Sequence, residues 1–433
     1  MSSIANPRRT DLAQARAQQV TAQIATVIAC IILTLALVSF RPFQPSGPEG
    51  ESGGDILNQL GYGSLGALAL AGMAMLANRR ALSALLSPWW LLLVGFVALA
   101  VTNALDPASS MRSAAFTIIG VIAMCAVLVL PRNVDAFSRV LATASFVVLG
   151  MSYYGILFKS GIAIHGGDGF EPQHAGLWRG SFSHKNIAAP VMACISLAGL
   201  YLFRRGWRMV GAVVLVGALF FMTQTGSKTT LGTVPLAIIM VMLPGMIGMR
   251  SIAPIAVVTA VVVLALGTLG TVFIEPLREL REAISPELTF TGRTALWAFM
   301  GEHIAQRPLT GYGFASFWGT EHVLLADLPF DREWDIRGIV HGHHGYLDLA
   351  IIMGLPALAV AIIAFIVAPI RDYVRTPLLR ENVLMSEFFL MVLTFTLMNA
   401  FLESFFFRRA DPVWLFFVLA VFGLRLVARF PIR

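Results

Sequence analysis

Charge is what this sequence has least of. Only 13% of its 433 residues are Asp, Glu, Lys or Arg, about half the share found in soluble domains. With 57% of residues hydrophobic, such a chain cannot cover a water-soluble globule with polar surface. Cysteine is nearly absent. Cys30, Cys125 and Cys194 each lie inside an apolar run, where thiols act as small hydrophobic fillers, so a disulfide framework and a cysteine metal site are both excluded. The metal motifs HExxH and HxHxDH do not occur. The two halves of the chain show none of the mutual repetition common in transporters. The formal charge of +7 does not point to nucleic acid, because excess Lys and Arg in an apolar chain mostly set membrane topology.

What the sequence has instead is a series of long apolar runs, with a mean hydropathy of +0.77. A bilayer crossing takes about 20 apolar residues. The expected fold class is therefore an all-α polytopic membrane protein of about 12 transmembrane helices, at 20–40, 60–77, 86–104, 112–130, 137–157, 186–203, 208–223, 229–248, 252–273, 345–369, 384–402 and 412–428. The runs 60–77 and 208–223 are short and glycine-bearing. The organisation expected is 1–185 for helices 1–5 with their outer loops, 186–273 for helices 6–9, 274–344 for one large loop between spans 9 and 10, and 345–433 for helices 10–12. Arg8, Arg9 and Arg16 precede the first run, and Arg41-Pro42-Phe43 follows it in place of a small-residue cleavage site, so a retained first helix is expected. With the N-terminus inside, 17 of the 31 Lys and Arg fall on inward segments. Both termini are then cytoplasmic and the large loop faces outward.

The outward segments hold the chemistry. EPLRELREAISPEL (275–288) has Leu277, Leu280 and Ile284 at helical spacing and reads as an amphipathic surface helix. TGRTALW (291–297) offers Thr291 as a helix cap and Arg293 as a cation, either paired with Glu287 or Glu302 or free for an anion. RPLTGYGFASFW (307–318) has GYG without a potassium-filter context, so Tyr312 reads as part of an aromatic wall that either meets sugar or packs the loop. HGHH (341–344) leaves three readings open: a metal shared by His341 and His343 with Asp348 nearby, a structural pair, or His343 as a general base, since imidazole titrates near neutrality. HAGLWRGSFSHKN (174–186) leads into a helix capped by Ser183 or Asn186. There Trp178 and Lys185 either anchor at the interface, or Arg179, His184, Lys185 and Asn186 face a cavity and bind an anion. Lys228, at a turn marked by Gly226, sits in headgroups or binds phosphate. Glu403 is placed to hold an arginine or a histidine, and Arg408 and Arg409 read as headgroup anchors.

Taken in order, GSFSHKN (180–186), TQTGSKTTL (223–231), TGRTALW, RPLTGYGFASF (307–317), GHHGYL (342–347) with GLP (354–356), and FLES (401–404) resemble the O-antigen ligase and O-antigen polymerase superfamily over about 180–405. The resemblance implies a GT-C-like, inverting, metal-independent glycosyltransferase with no cofactor, in the bacterial inner membrane, acting at its periplasmic face on an undecaprenyl-diphosphate-linked glycan and a glycan acceptor. It implies His343 as the key histidine and Lys228 with Arg293 as a basic pair, and it makes His344 and the residues of SHKN candidates for contact with substrate. Flippase and chain-length regulator proteins are candidate partners. His344 stands where relatives often have Asn. Lys228 stands where ligases often have Arg, which leans toward an exopolysaccharide repeat-unit polymerase. A ligase acting on lipid A core or protein is the alternative, and a lipid-linked glycan transporter is the rival from another class.

Overall fold

The computed structural model describes residues 9–44, 56–167, 172–284, 290, 292–325 and 336–432. The caps and partners expected at Thr291 and Glu287, and most of the first outer loop, lie outside them. All twelve apolar runs are helical. Ten helices are long and apolar enough to cross a bilayer, and a pair bent by 64°, Arg79–Leu85 and Pro88–Thr102, makes an eleventh. The bend falls at the extended residue Ser87, just before a helix that begins at Pro88. The remaining run is the 17-residue helix Arg208–Gln224, about 26 Å long and so shorter than a hydrocarbon core of about 30 Å. It packs backbone to backbone on Lys185–Arg205, because a Cβ at Gly199 or Gly211 would strike the facing main chain. Among the described residues there is no β-strand, only one bridge between Ile164 and Trp178.

Burial orders the bundle. Arg380–Asn399, Lys185–Arg205 and Pro412–Arg429 are 89%, 78% and 72% buried along their apolar windows, against 22% for Ile252–Phe273 and 28% for Lys228–Met246. The first three form the centre. The last two present Leu236, Ile239, Ile255 and Val263 outward, as a lipid-facing helix does.

The two ends of the bundle differ in chemistry. One end gathers arginines on acids, of which Glu387 and Asp372 are buried, Glu381 is half-buried and Asp135 is exposed: Arg204 on Glu387 at 2.5 Å, Arg205 on Asp135 at 2.6 Å and Glu381 at 3.1 Å, and Arg429 on Asp372 at 3.2 Å. The other end gathers the loops. There Phe43 N–H donates to Ser181 O at 3.0 Å, Trp178 N–H to Gln224 O at 3.1 Å and Gly345 N–H to Ala400 O at 2.7 Å, and Leu105 N–H donates to Ser316 Oγ at 2.8 Å. Every loop expected on one side of the membrane meets at this end.

The large loop is folded in its own right. The helix Glu275–Ile284 forms as expected, and the helix Arg293–Gln306 buries Leu296, Trp297, Phe299 and Met300 in a second core with Tyr312, Phe317, Leu347 and Ile351. The loop is fixed to a break in the tenth span. The helix Gly345–Ile362 leaves helical geometry at Gly354, where φ is 82° and ψ 170°, two residues before Pro356. A break inside a membrane frees backbone groups that lipid cannot satisfy. Here the loop satisfies them: Tyr312 N–H donates to Ile351 O at 2.8 Å, Gly313 N–H to Ile352 O at 3.2 Å, and Leu355 N–H to Pro308 O at 2.7 Å. The RPLTGYG and GLP segments are thus two halves of one contact.

Gly354 has a positive φ, and a Cβ there would strike the Leu309 carbonyl. Gly354→Ala should therefore destabilise the purified protein by about 2 kcal/mol or more. Gly95→Ala, in a helix with open space around the glycine, should be neutral or slightly stabilising. Thermal unfolding in detergent measures both, and equal midpoints for the two variants would mean that the break is not a constraint.

Candidate active site

The HGHH turn is held from every side. His343 has φ 48°, in a left-handed region that a side chain occupies at a cost of about 1–2 kcal/mol. The surrounding bonds impose it. Asp348, in the first turn of Gly345–Ile362, accepts Gly342 N–H on both oxygens at 3.1 and 3.0 Å and the Trp318 indole N–H at 2.7 Å. The Trp297 indole N–H donates to Gly342 O at 3.1 Å. His344 N–H donates to Ser404 Oγ at 2.9 Å, and His343 N–H donates to His341 Nδ1 at 3.3 Å.

His343 then meets Glu403. Its Nδ1 lies 3.3 Å from one Glu403 oxygen, while Arg293 Nη2 donates to the other at 3.1 Å and Arg293 Nη1 donates to Leu402 O. The three side chains are 18–21% exposed, so they face a semi-enclosed space. Burial alone would raise the Glu403 pKa, but the hydrogen bond and charge of His343, with Arg293, outweigh it and hold the carboxyl below its ordinary value. A carboxylate on Nδ1 fixes the ring with its proton on that side and leaves Nε2 as the basic nitrogen. The His341 ring lies 4.1 Å from that of His343, centroid to centroid, tilted by 60°. Burial, then the charges of His343, Arg408, Arg293 and His184, push its pKa well down. Arg293, read as either paired with Glu287 or Glu302 or free for an anion, pairs with Glu403, and Glu403 holds both an arginine and a histidine.

The other expected residues fall in different places. His344, expected at the substrate, has a fully buried ring set edge-on to Trp297 and Phe401. Its Nδ1 accepts Leu347 N–H at 3.3 Å and caps the tenth span. Tyr312 is buried in the loop core, donates to Gln306 at 3.0 Å and lies under the Arg307 guanidinium. Buried Arg179 ties its loop by donating to Ile162 O and to Ser183 O at 3.0 Å. The cap of Lys185–Arg205 is His184, not Ser183 or Asn186: its Nδ1 accepts Asn186 N–H at 3.1 Å. Lys185 is buried at the first position of that helix and Asn186 is half-buried. Lys228 starts its helix after Ser227 and is exposed. Among the described residues no hydrogen bond or ion pair joins it to Arg293 or His343.

Sequence reading missed Asp348 and Trp318 as supports of the turn, and Arg408 as a charge near His341. Asp348 was legible as the acid four positions after His344, in the first turn of a helix. Arg408 gave no signal beyond its charge.

Residues 212–362 match the family model described as O-Antigen ligase. The match spans about a third of the chain, and over that stretch the chain is similar to the O-antigen ligase family. The match supports membrane glycosyltransferase activity of the O-antigen ligase or polymerase type. Comparison with curated proteins returns no match. The matched residues include Lys228, Arg293 and His343, and Glu403 meets Arg293 and His343 from outside them.

One nitrogen each of His341 and His343 and one oxygen of Glu403 lie within 4.8 Å of one another. These donors suit a cation poorly. Both Glu403 oxygens are engaged by Arg293 and His343, and Arg293 and Arg408 already place positive charge there. Asp348, expected near the two histidines, accepts from Gly342 N–H and the Trp318 indole instead.

Burial pushes the His344 pKa from 6.5 to about 3. The folded protein keeps this ring neutral while the unfolded chain protonates it below pH 6.5, so its contribution is present above 6.5 and lost as pH falls toward 3. His344→Asn keeps a capping side chain and removes that titration. The variant should lose less stability than the wild type between pH 6.5 and 4.5, by on the order of 2 kcal/mol. Parallel acid limbs in thermal unfolding would contradict this.

Proposed function

We propose that this protein is an inverting, metal-independent glycosyltransferase that polymerises undecaprenyl-diphosphate-linked oligosaccharide repeat units at the periplasmic face of the bacterial inner membrane. The observation that carries the reading is the His343–Glu403–Arg293 constellation, set among the loops at one end of the bundle. An acceptor sugar hydroxyl attacks the anomeric carbon of the donor glycan. Its oxygen forms the new glycosidic bond, the carbon–oxygen bond to the diphosphate breaks with inversion, and the electron pair leaves with the lipid diphosphate. His343 Nε2 takes the hydroxyl proton, and Glu403 stabilises the imidazolium that results. Negative charge grows on the leaving diphosphate, and fixed cations stabilise it. Arg293 and Arg408 are in place for that. Lys228 would join them when the lipid diphosphate binds between helices. The positive-inside count supports the periplasmic assignment, because the arginine-rich end is the opposite one.

A ligase that moves finished glycan to lipid A core or protein would use the same groups with another acceptor. Lysine at 228 and the SHKN segment favour the polymerase.

Products from membranes of a deletion strain, complemented and resolved by size, separate the readings. The wild type should give long chains. His343→Ala should lower transfer about 100-fold to 10,000-fold, with single lipid-linked repeats accumulating. Long lipid-linked glycan that never reaches lipid A core would mean a ligase, and unchanged product from His343→Ala would remove it as the base. The face is tested separately. Leu325→Cys, at an exposed position of the large loop, should react with an impermeant maleimide in spheroplasts, and Met209→Cys, exposed at the arginine-rich end, should not.

A further inference from the structure

A cavity of about 470 Å³ opens where the loop 308–313 rests on the break in the tenth span, a size usual for small-ligand sites. Asn103, Gln306, Arg307, Pro308, Leu309 and Thr310 line it. The proposed reaction uses none of them. The floor is fixed: Gly311 N–H donates to Arg307 O at 3.1 Å, Leu355 N–H to Pro308 O at 2.7 Å and Tyr312 N–H to Ile351 O at 2.8 Å. Ile351 stands in the second turn of Gly345–Ile362, about 9 Å along the helix axis from the turn that holds His343. The cavity is a neighbour of the reaction site and not part of it.

Its wall is arranged to donate. The Arg307 guanidinium lies over the Tyr312 ring, 4.7 Å from the centroid, and an arginine held on a ring face keeps its in-plane N–H groups for a ligand. Among the described residues its side chain makes no hydrogen bond and no ion pair. Glu321, whose charge acts with that of Arg307 on His322, does not pair with it. The Gln306 side-chain oxygen accepts the Tyr312 hydroxyl at 3.0 Å, which leaves the amide nitrogen to donate. Asn103 adds a second, exposed amide. No carboxylate lines the cavity. One full positive charge among neutral donors suits an anion, and a planar guanidinium fits phosphate.

The place of the cavity narrows the ligand. Asn103 directly follows the apolar helix Pro88–Thr102, and Leu105 and Leu309 are exposed beside it. A polar wall and an apolar rim therefore meet at the end of a span, the level at which lipid phosphates lie. An arginine that only snorkels needs no cavity, no aromatic rest and no oriented amide.

We propose that the cavity at Arg307 binds the phosphate of a membrane lipid, with Arg307 as the cation, Gln306 and Asn103 as neutral donors and Leu309 beside the lipid chain. Two lipids bring that group to this surface: a phospholipid through its headgroup, and the lipid diphosphate of the proposed reaction. The site is independent of the choice between polymerase and ligase, because both use a lipid diphosphate in a phospholipid bilayer.

The test is native mass spectrometry of the delipidated full chain in non-ionic detergent. Separate arms titrate phosphatidylglycerol, undecaprenyl diphosphate and, as the phosphate-free control, undecaprenol. The diphosphate arm is run on Arg293→Gln protein, so that the reaction site does not mask the cavity. Arg307→Gln should weaken binding of the phosphate-bearing lipid at least about tenfold and leave undecaprenol unchanged. Gln306→Glu keeps an acceptor for Tyr312 and places an acid in the cavity, so it should weaken the same lipid at least as much. A loss with phosphatidylglycerol makes this a headgroup site, and a loss with undecaprenyl diphosphate makes it a holding site for substrate; either supports the proposal. Affinities unchanged in both arms for both variants would overturn it. So would an equal loss for undecaprenol, since the lipid would then be held without its phosphate. Thermal unfolding without lipid checks that the variants fold.

Discussion

One carboxylate organises the site. Glu403 meets His343 on one oxygen and Arg293 on the other, and each contact depends on the rest. Without Glu403, half-buried Arg293 would lose its ion pair, a costly change. Without Arg293 and His343, the carboxyl would lose the groups that hold its pKa below the ordinary value against the effect of burial. The three residues come from the start of a loop helix, the turn before the tenth span and the segment after the eleventh. Joining them is what turns a set of membrane helices into a site.

That junction needs rigid supports, and the chain supplies them through the break in the tenth span. At Gly354 the helix gives up its own hydrogen bonds, and the loop 308–313 takes them over. The same loop core encloses Trp297, whose indole holds the HGHH turn, and lies next to Trp318, which holds Asp348. His343 can keep a left-handed backbone because its neighbours are tied by Asp348, Ser404 and Trp297. Strain at the reacting residue is thus supported by a membrane-depth contact about ten residues away in sequence.

The helices were legible because bilayer length and apolarity dictate them; most boundaries moved by a few residues, and the first helix begins eleven residues earlier than its apolar run, at Arg9. The bend before Pro88 and the break at Gly354 were not, since hydropathy is blind to a helix that keeps its apolar run while changing direction. At the site, His343, Arg293 and Glu403 could be named from charge and position at helix ends. Their junction could not, because residues 293, 343 and 403 meet only through tertiary packing. His344 and Tyr312 show the limit in the other direction. Both look exposed in a polar loop, yet the loop has a core of its own and takes them into it. His184 is a helix cap that composition rules assign to Ser or Asn, because imidazole capping leaves no distinctive pattern.

In the proposed reaction Glu403 acts through His343. The direct measurement is a double-mutant cycle on the transfer rate, using wild type, His343→Ala, Glu403→Gln and the double variant in the same membranes. If the carboxylate works by orienting and charging the imidazole, the double variant should be no slower than His343→Ala, within about twofold. Effects that multiply would mean that the two side chains act independently, and the histidine–carboxylate pair would not be the catalytic unit.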